Sequence, residues 1–235
     1  MTHRTAAAVV LGLVGVGSTP LPQTARGDVL AQVDHIIYAT PDLDRTVEAL
    51  ERQLGVRATP AGSSPGRGTH SALLSLGAGA YLEIVAPDPG QARPSQPPWW
   101  MPGLHEPRIV QWAAKGMHLE SLRATAVSAG VPLGEVTSGR RMQPDGVWLT
   151  WRFTSPRRPV ADGIVPFFID WGHARHPARS APPGVRLVGL RGEHPDTERV
   201  RRMLRQLGLA LPVAHGDRPA LIATLDGPLG RLELR

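Results

Sequence analysis

Two residues stand out because their chemistry is at odds with their neighbours. In the run Gln32-Val33-Asp34-His35-Ile36-Ile37-Tyr38, strand alternation places His35 with Val33 and Ile37 on one face. In Tyr81-Leu82-Glu83-Ile84-Val85 the same alternation groups Glu83 with Tyr81 and Val85. A carboxylate on such an apolar face is costly unless it is paired, hydrogen-bonded or bound to a metal. An imidazole and a carboxylate that project into one cavity are ingredients of metal ligation. The bland readings of the same pair are a hydrogen-bonded core histidine and the partner of an arginine. His70 follows the flexible Gly66-Arg67-Gly68-Thr69 and immediately precedes a strand. It is the candidate second imidazole, with loop surface as its alternative. Of the remaining histidines, His118, His173, His176, His194 and His215 fall in loops or beside helix starts, where a surface position is the default.

Aromatic residues supply candidate substrate contacts. Trp99 and Trp100 sit inside a Pro-rich loop, 87–107, that reads as a functional lid, because an exposed tryptophan pair without a task is a liability. Trp112, Trp148 and Trp151 occupy strand-like runs, where core packing is the common role and an aromatic-lined cleft the functional one. The chain has no cysteine, which removes disulfides, thiolate metal sites and cysteine nucleophiles together. No nucleophile elbow, phosphate-binding loop, zinc-protease helix or dinucleotide fingerprint is present. The formal charge of +6 comes from scattered arginines, with Lys115 the only lysine, and no basic run is interleaved with stacking aromatics. Nucleic acid is therefore not the expected partner.

The elements that would position these groups recur three times. Unit one, 33–86, opens with the strand that carries His35 and continues into a helix marked by Leu43, Val47, Leu50 and Leu54, with Thr40-Pro41 as N-cap and first turn and Gly55 as the stop. A Gly/Ser/Pro loop over 60–68 precedes Ala72–Leu76 and Tyr81–Val85, which flank the hairpin signal Gly77-Ala78-Gly79. The unit is βαββ, or βαβββ if Arg57–Thr59 also pairs. Unit two, 108–171, has strands at 108–113, 146–153 and 165–171 and a helix marked by Leu119, Leu122, Ala126 and Ala129. Unit three, 185–235, has a strand at 185–190, a helix marked by Val200, Leu204 and Leu207, and a closing hairpin. Fragments repeat in letters: LERQLGV at 50–56 and LRQLGL at 204–209. Units this short cannot close a core singly, so the expectation is an α+β domain over 30–235 in which they join into one curved mixed sheet with helices outside.

Residues 33–44, VDHIIYATPDLD, together with Gly68-Thr69-His70, Tyr81-Leu82-Glu83-Ile84, the run 165–172 and His176-Pro177, resemble the glyoxalase-like branch of the vicinal oxygen chelate superfamily. The similarity runs over nearly all of the chain after residue 30. It implies βαβββ modules whose U-shaped sheet holds a divalent metal, zinc, nickel, manganese or iron, on ligands from the first and last strands of paired modules. Carried over, His35 and Glu83 become ligands in unit one, Gln111 and Asp170 in unit two, and Glu83 and His70 the catalytic groups. Trp99, Trp100, Trp112 and Trp148 become substrate contacts. Unit three offers Val188 at its first-strand position and Glu233 at its last.

The resemblance implies a metal-dependent isomerase, lyase or dioxygenase acting on a small oxygenated molecule. The alternative is a non-catalytic module of the same fold that sequesters a small ligand such as an antibiotic. This fold class often pairs modules across a homodimer. Residues 1–29 read as a weak signal-like or disordered start: Arg4, an apolar stretch 6–16 too short to span a bilayer, then a Pro-containing polar stretch. A cytoplasmic location is expected, with export through that segment as the alternative.

Overall fold

A computed structural model describes residues 28–77, 79–142, 148–155 and 158–235. The signal-like reading of the first 27 residues, the central Ala78 of the hairpin signal and the start of the strand expected at 146 lie outside the described residues. After a short helix α1 (Val29–Gln32), unit one runs β1 (Val33–Ala39), α2 (Leu43–Leu54), β2 (Thr59–Ser64), β3 (Thr69–Ser75) and β4 (Tyr81–Pro87). Unit two repeats it as β5 (Arg108–Lys115), α3 (Leu119–Ser128), β6 (Val136–Met142), β7 (Trp148–Thr154) and β8 (Phe167–Asp170).

These eight strands form a single sheet in the order β2-β3-β4-β1-β5-β8-β7-β6. In each unit the first strand runs parallel to the last, and β1 meets β5 antiparallel at the centre. The sheet curls until its two edge strands, β2 and β6, come into contact. Part of the Gly/Ser/Pro stretch expected to be a loop is therefore strand β2, so unit one is βαβββ. Its Pro60 is tolerated because β2 is an edge strand that pairs only with β3.

Helix α2 begins two residues later than the Thr40-Pro41 signal suggests. Asp42 is the N-cap, accepting from the backbone N–H of Arg45 at 3.0 Å, while the Thr40 hydroxyl accepts from the Asp42 N–H and bonds to Thr46. A carboxylate two residues further on thus outcompetes the hydroxyl for the orphan amide. Gly55 ends the helix at φ 81°, as its sequence position predicts. Leu43, Val47, Leu50 and Leu54 form the buried stripe of α2 and pack on Ile36, Leu82 and Ile84 of the convex sheet face.

Unit three departs from the repeat. It runs β9 (Arg186–Glu193), α4 (Thr197–Gln206), β10 (Val213–Ala214), β11 (Ala220–Gly227) and β12 (Gly230–Leu234), and forms its own sheet in the order β10-β9-β11-β12. Here the first strand pairs antiparallel with β11, and β12 lies on the outer edge beside β11. Val188 and Glu233 consequently do not occupy positions equivalent to His35 and Glu83. This second sheet contributes Leu190, Leu221, Ala223 and Leu225 to the same core as α2 and the convex face. Helices α2, α3 and α4 and the small sheet thus cover one side of the curved sheet and leave the concave side open. Among the described residues no helix is long and apolar enough to cross a membrane.

Candidate functional site

The concave face holds a cleft of roughly 290 Å³. His35 and Ile37 reach it from β1, Tyr81, Glu83 and Val85 from β4, and Phe167 and Ile169 from β8. Curling of the sheet adds Ser64 and Arg67 from one edge and Ser138 to Arg141 from the other. The alternation holds along β4 and from His35 onward in β1, so His35 and Glu83 face one cavity; a register shift between Val33 and His35 puts Val33 with Ile36 in the core of the other face. Their register is diagonal: His35 lies opposite Tyr81, and Glu83 lies opposite Ile37. Tyr81 stands next to both, its ring stacked on the His35 imidazole at 4.7 Å between centroids.

Behind His35 lies a group that strand alternation alone would consign to the far face. Asp34 is 1% exposed, and its carboxylate faces three donors. Oδ1 lies 2.8 Å from His35 Nδ1, Oδ2 lies 3.1 Å from His176 Nε2, and the Trp171 indole N–H donates to Oδ2 at 3.1 Å. Burial by itself would raise the Asp34 pKa. The hydrogen bonds and charges of His176 and His35 outweigh it and hold the carboxyl at about 2. The ionised carboxylate can only accept, so the proton of the neutral His35 ring sits on Nδ1. Nε2 is left without a protein partner among the described residues. Tyr81 stays a neutral phenol: burial pushes its pKa well up, the charges of Glu83 and Asp34 add to this, and Arg141 opposes them.

The other expected residues are dispersed. Gln111 lies opposite Ile37 on the cavity-facing register of β5 and is buried, although it does not line the cleft itself. Strand registers identify the unit-two counterpart of Glu83. Glu83 pairs with Ile37, two residues after His35, and Phe167 pairs with Ala113, two residues after Gln111. The carry-over to Asp170 is thus displaced by three residues. Asp170 instead accepts from the Gly172 N–H at 2.8 Å, capping the turn, and faces a neighbouring groove. His70 lies on β3 opposite Ser63 and Ala86 and does not line the cleft. Trp100 is not exposed, as the lid reading supposed. It is buried with Val85 and Val110 and forms one wall of the cleft, with Trp99 packed behind it. Trp112 is a core residue, fully buried, whose indole donates to the Ile164 carbonyl. Trp148 stands half exposed in the neighbouring groove with Arg140 over its ring.

Sequence reasoning missed Asp34, His176 and Trp171 as a group. Asp34 carried the signal, as a carboxylate sharing a face with Ile36 and Tyr38, but its partners lie more than 130 residues away. His194 is likewise buried, not surface, and bonds to Asp162 and to the Asp196 N–H ahead of α4.

The donor set argues against a resident divalent ion. Among the described residues no three His, Cys, Asp or Glu side chains form a ligand group. The matching fourth position is the phenyl ring of Phe167, which meets the His35 ring edge-on at 5.6 Å between centroids. His35, Gln111 and Glu83 bring one negative charge between them, and Arg67 and Arg141 line the same cleft. That field opposes a dication.

Residues 33–208 match the family model described as a glyoxalase-like domain. The crystal structure of a hypothetical protein from Staphylococcus aureus aligns with a TM-score of 0.56 at 14% identity, covering 86% of this chain and 84% of that one. That likeness is one of fold. Methylmalonyl-CoA epimerase from Mycobacterium tuberculosis aligns at 20% identity over 61% of this chain and 88% of that one, with a TM-score of 0.39. No curated protein matches the chain significantly.

Proposed function

We propose, from the premise that this chain belongs to the glyoxalase-like domain family of the vicinal oxygen chelate superfamily, that it binds a small oxygenated molecule in the concave cleft and moves a proton on it. His35 is the proton carrier. The observation that carries this reading is the buried Asp34 carboxylate held against His35 Nδ1 at 2.8 Å. It fixes the tautomer, leaves Nε2 as the base, and stabilises the imidazolium once a proton has been taken. A carbon acid beside a carbonyl suits such a base: the C–H proton goes to Nε2, and the electron pair moves toward the carbonyl oxygen. Tyr81 and Phe167 hold the imidazole by their rings, so it meets substrate in one orientation.

The metal-dependent reading expected from the resemblance is the competitor. It is separated by incubating the protein with simple ketones and 2-keto acids in deuterated water and following loss of the proton signal next to the carbonyl. Wild type is expected to accelerate exchange, His35→Gln to abolish it, and chelator treatment to leave it unchanged. Loss on chelation with recovery on adding a divalent ion overturns the proposal in favour of a metal centre. No exchange across the set overturns it in favour of a non-catalytic binding module, which the aromatic walls of the cleft would also serve.

A further inference from the structure

Arg67 and Arg141 line the cleft and form no ion pair among the described residues, although Glu83 lines the same space, whereas the Arg140 guanidinium lies over the Trp148 ring in the neighbouring groove. Arg141 is the sharpest case. Its Nε is enclosed by protein and is the one buried side-chain nitrogen or oxygen among the described residues with no hydrogen-bond partner. An enclosed guanidinium N–H without an acceptor costs stability, and folded proteins rarely leave one so. It is satisfied when something else brings the acceptor.

We propose that the ligand of this cleft carries a carboxylate, and that Arg141 is the residue that binds it. A guanidinium edge presents two parallel N–H groups that match the two oxygens of a carboxylate. Much of the rest of the cleft is apolar, from Ile37, Val85, Trp100, Phe153, Phe167 and Ile169, with hydroxyls at Ser64, Tyr81 and Ser138. Those walls suit the apolar body of an organic acid and offer little to the third and fourth oxygens of a phosphate, which Glu83 would also repel more strongly. Arg67 adds a second positive charge, and with Arg141 it outweighs the single Glu83 carboxylate and favours anion entry. The proposal names the substrate class of the cleft described above and so rests on that cleft as the ligand site, but not on proton transfer by His35.

The test uses benzoate, its neutral analogue benzamide, and inorganic phosphate, with binding read by calorimetry and by quenching of the tryptophans that line the cleft. Wild type is expected to bind benzoate about tenfold more tightly than benzamide, and phosphate is expected not to compete. Arg141→Gln should erase the preference, with an unchanged circular-dichroism spectrum and melting transition showing that the variant is folded. Arg141→Lys, which keeps the charge and lacks the Nε–H, should restore it only in part. Equal binding of benzoate and benzamide, no benzoate binding at millimolar concentration, a preference that survives Arg141→Gln, or displacement of benzoate by phosphate each overturns the proposal. Because the preference is read on binding alone, it stands or falls separately from the exchange reaction assigned to His35.

Discussion

At Asp34 three donors converge on one carboxylate, and that convergence sets both its charge and its cost of removal. The folded protein holds the carboxyl at about 2, below its ordinary 3.8. A depressed carboxyl contributes stability that is complete above the ordinary value and is lost as pH falls toward the folded one; the gap corresponds to roughly 2 kcal/mol. Asp34→Asn should therefore be less stable than wild type by about 2 kcal/mol at neutral pH. The difference should close between pH values of about 4 and about 2, as urea denaturation across that range would show. A constant difference down to the lowest pH would mean that the carboxylate charge is not what the two imidazoles and the indole respond to. At this scale the candidate site was half legible. His35 and Glu83 announced themselves by sharing apolar faces, whereas His176 and Trp171 gave no local sign, because their partner is brought to them by the path of the whole chain.

Between residue and fold, two local devices shape the cleft. The Asp42 side chain satisfies an amide at the start of α2, whose buried stripe seats the convex face; Asp42→Ala should lower stability by about 1 kcal/mol in thermal melts. On the opposite side, edge strand β6 carries Gly139 directly against Trp151, with which it pairs across the ladder. A methyl group at Gly139 would sit 2.4 Å from the indole ring, so Gly139→Ala must push Trp151 into the cleft or away from the strand. The expected outcome is a loss of about 1–3 kcal/mol, together with altered tryptophan emission and weaker benzoate binding. An unchanged emission spectrum would show that the ring does not lie against the strand. The helices were readable because their stripes and stops are short-range signals. Strand β2 was not, because its Gly, Ser and Pro residues pair only by virtue of lying along the edge that β3 offers.

Over the whole molecule, one core joins the curved sheet, α2 and the small sheet of unit three. All six tryptophans fall between residues 99 and 171, outside unit three. Leu225 in β11 is fully buried in that shared core. Leu225→Ala should cost about 2–5 kcal/mol. If the sheets unfold as one body, the tryptophan-detected and circular-dichroism transitions should shift together. Two separated transitions would make unit three an independent body.

The sequence by itself settled the repeated strand-helix plan, the helix stripes, and the face on which His35 and Glu83 lie. Those properties depend on alternation and periodicity, which act between residues a few positions apart. Only the tertiary structure decided that unit three leaves the repeat, that Phe167 and not Asp170 stands opposite Ala113, and that Asp34 is shared by two imidazoles. Register and strand order are fixed by which segments pack against one another across the chain, and a local pattern that fits several partners equally well cannot choose among them.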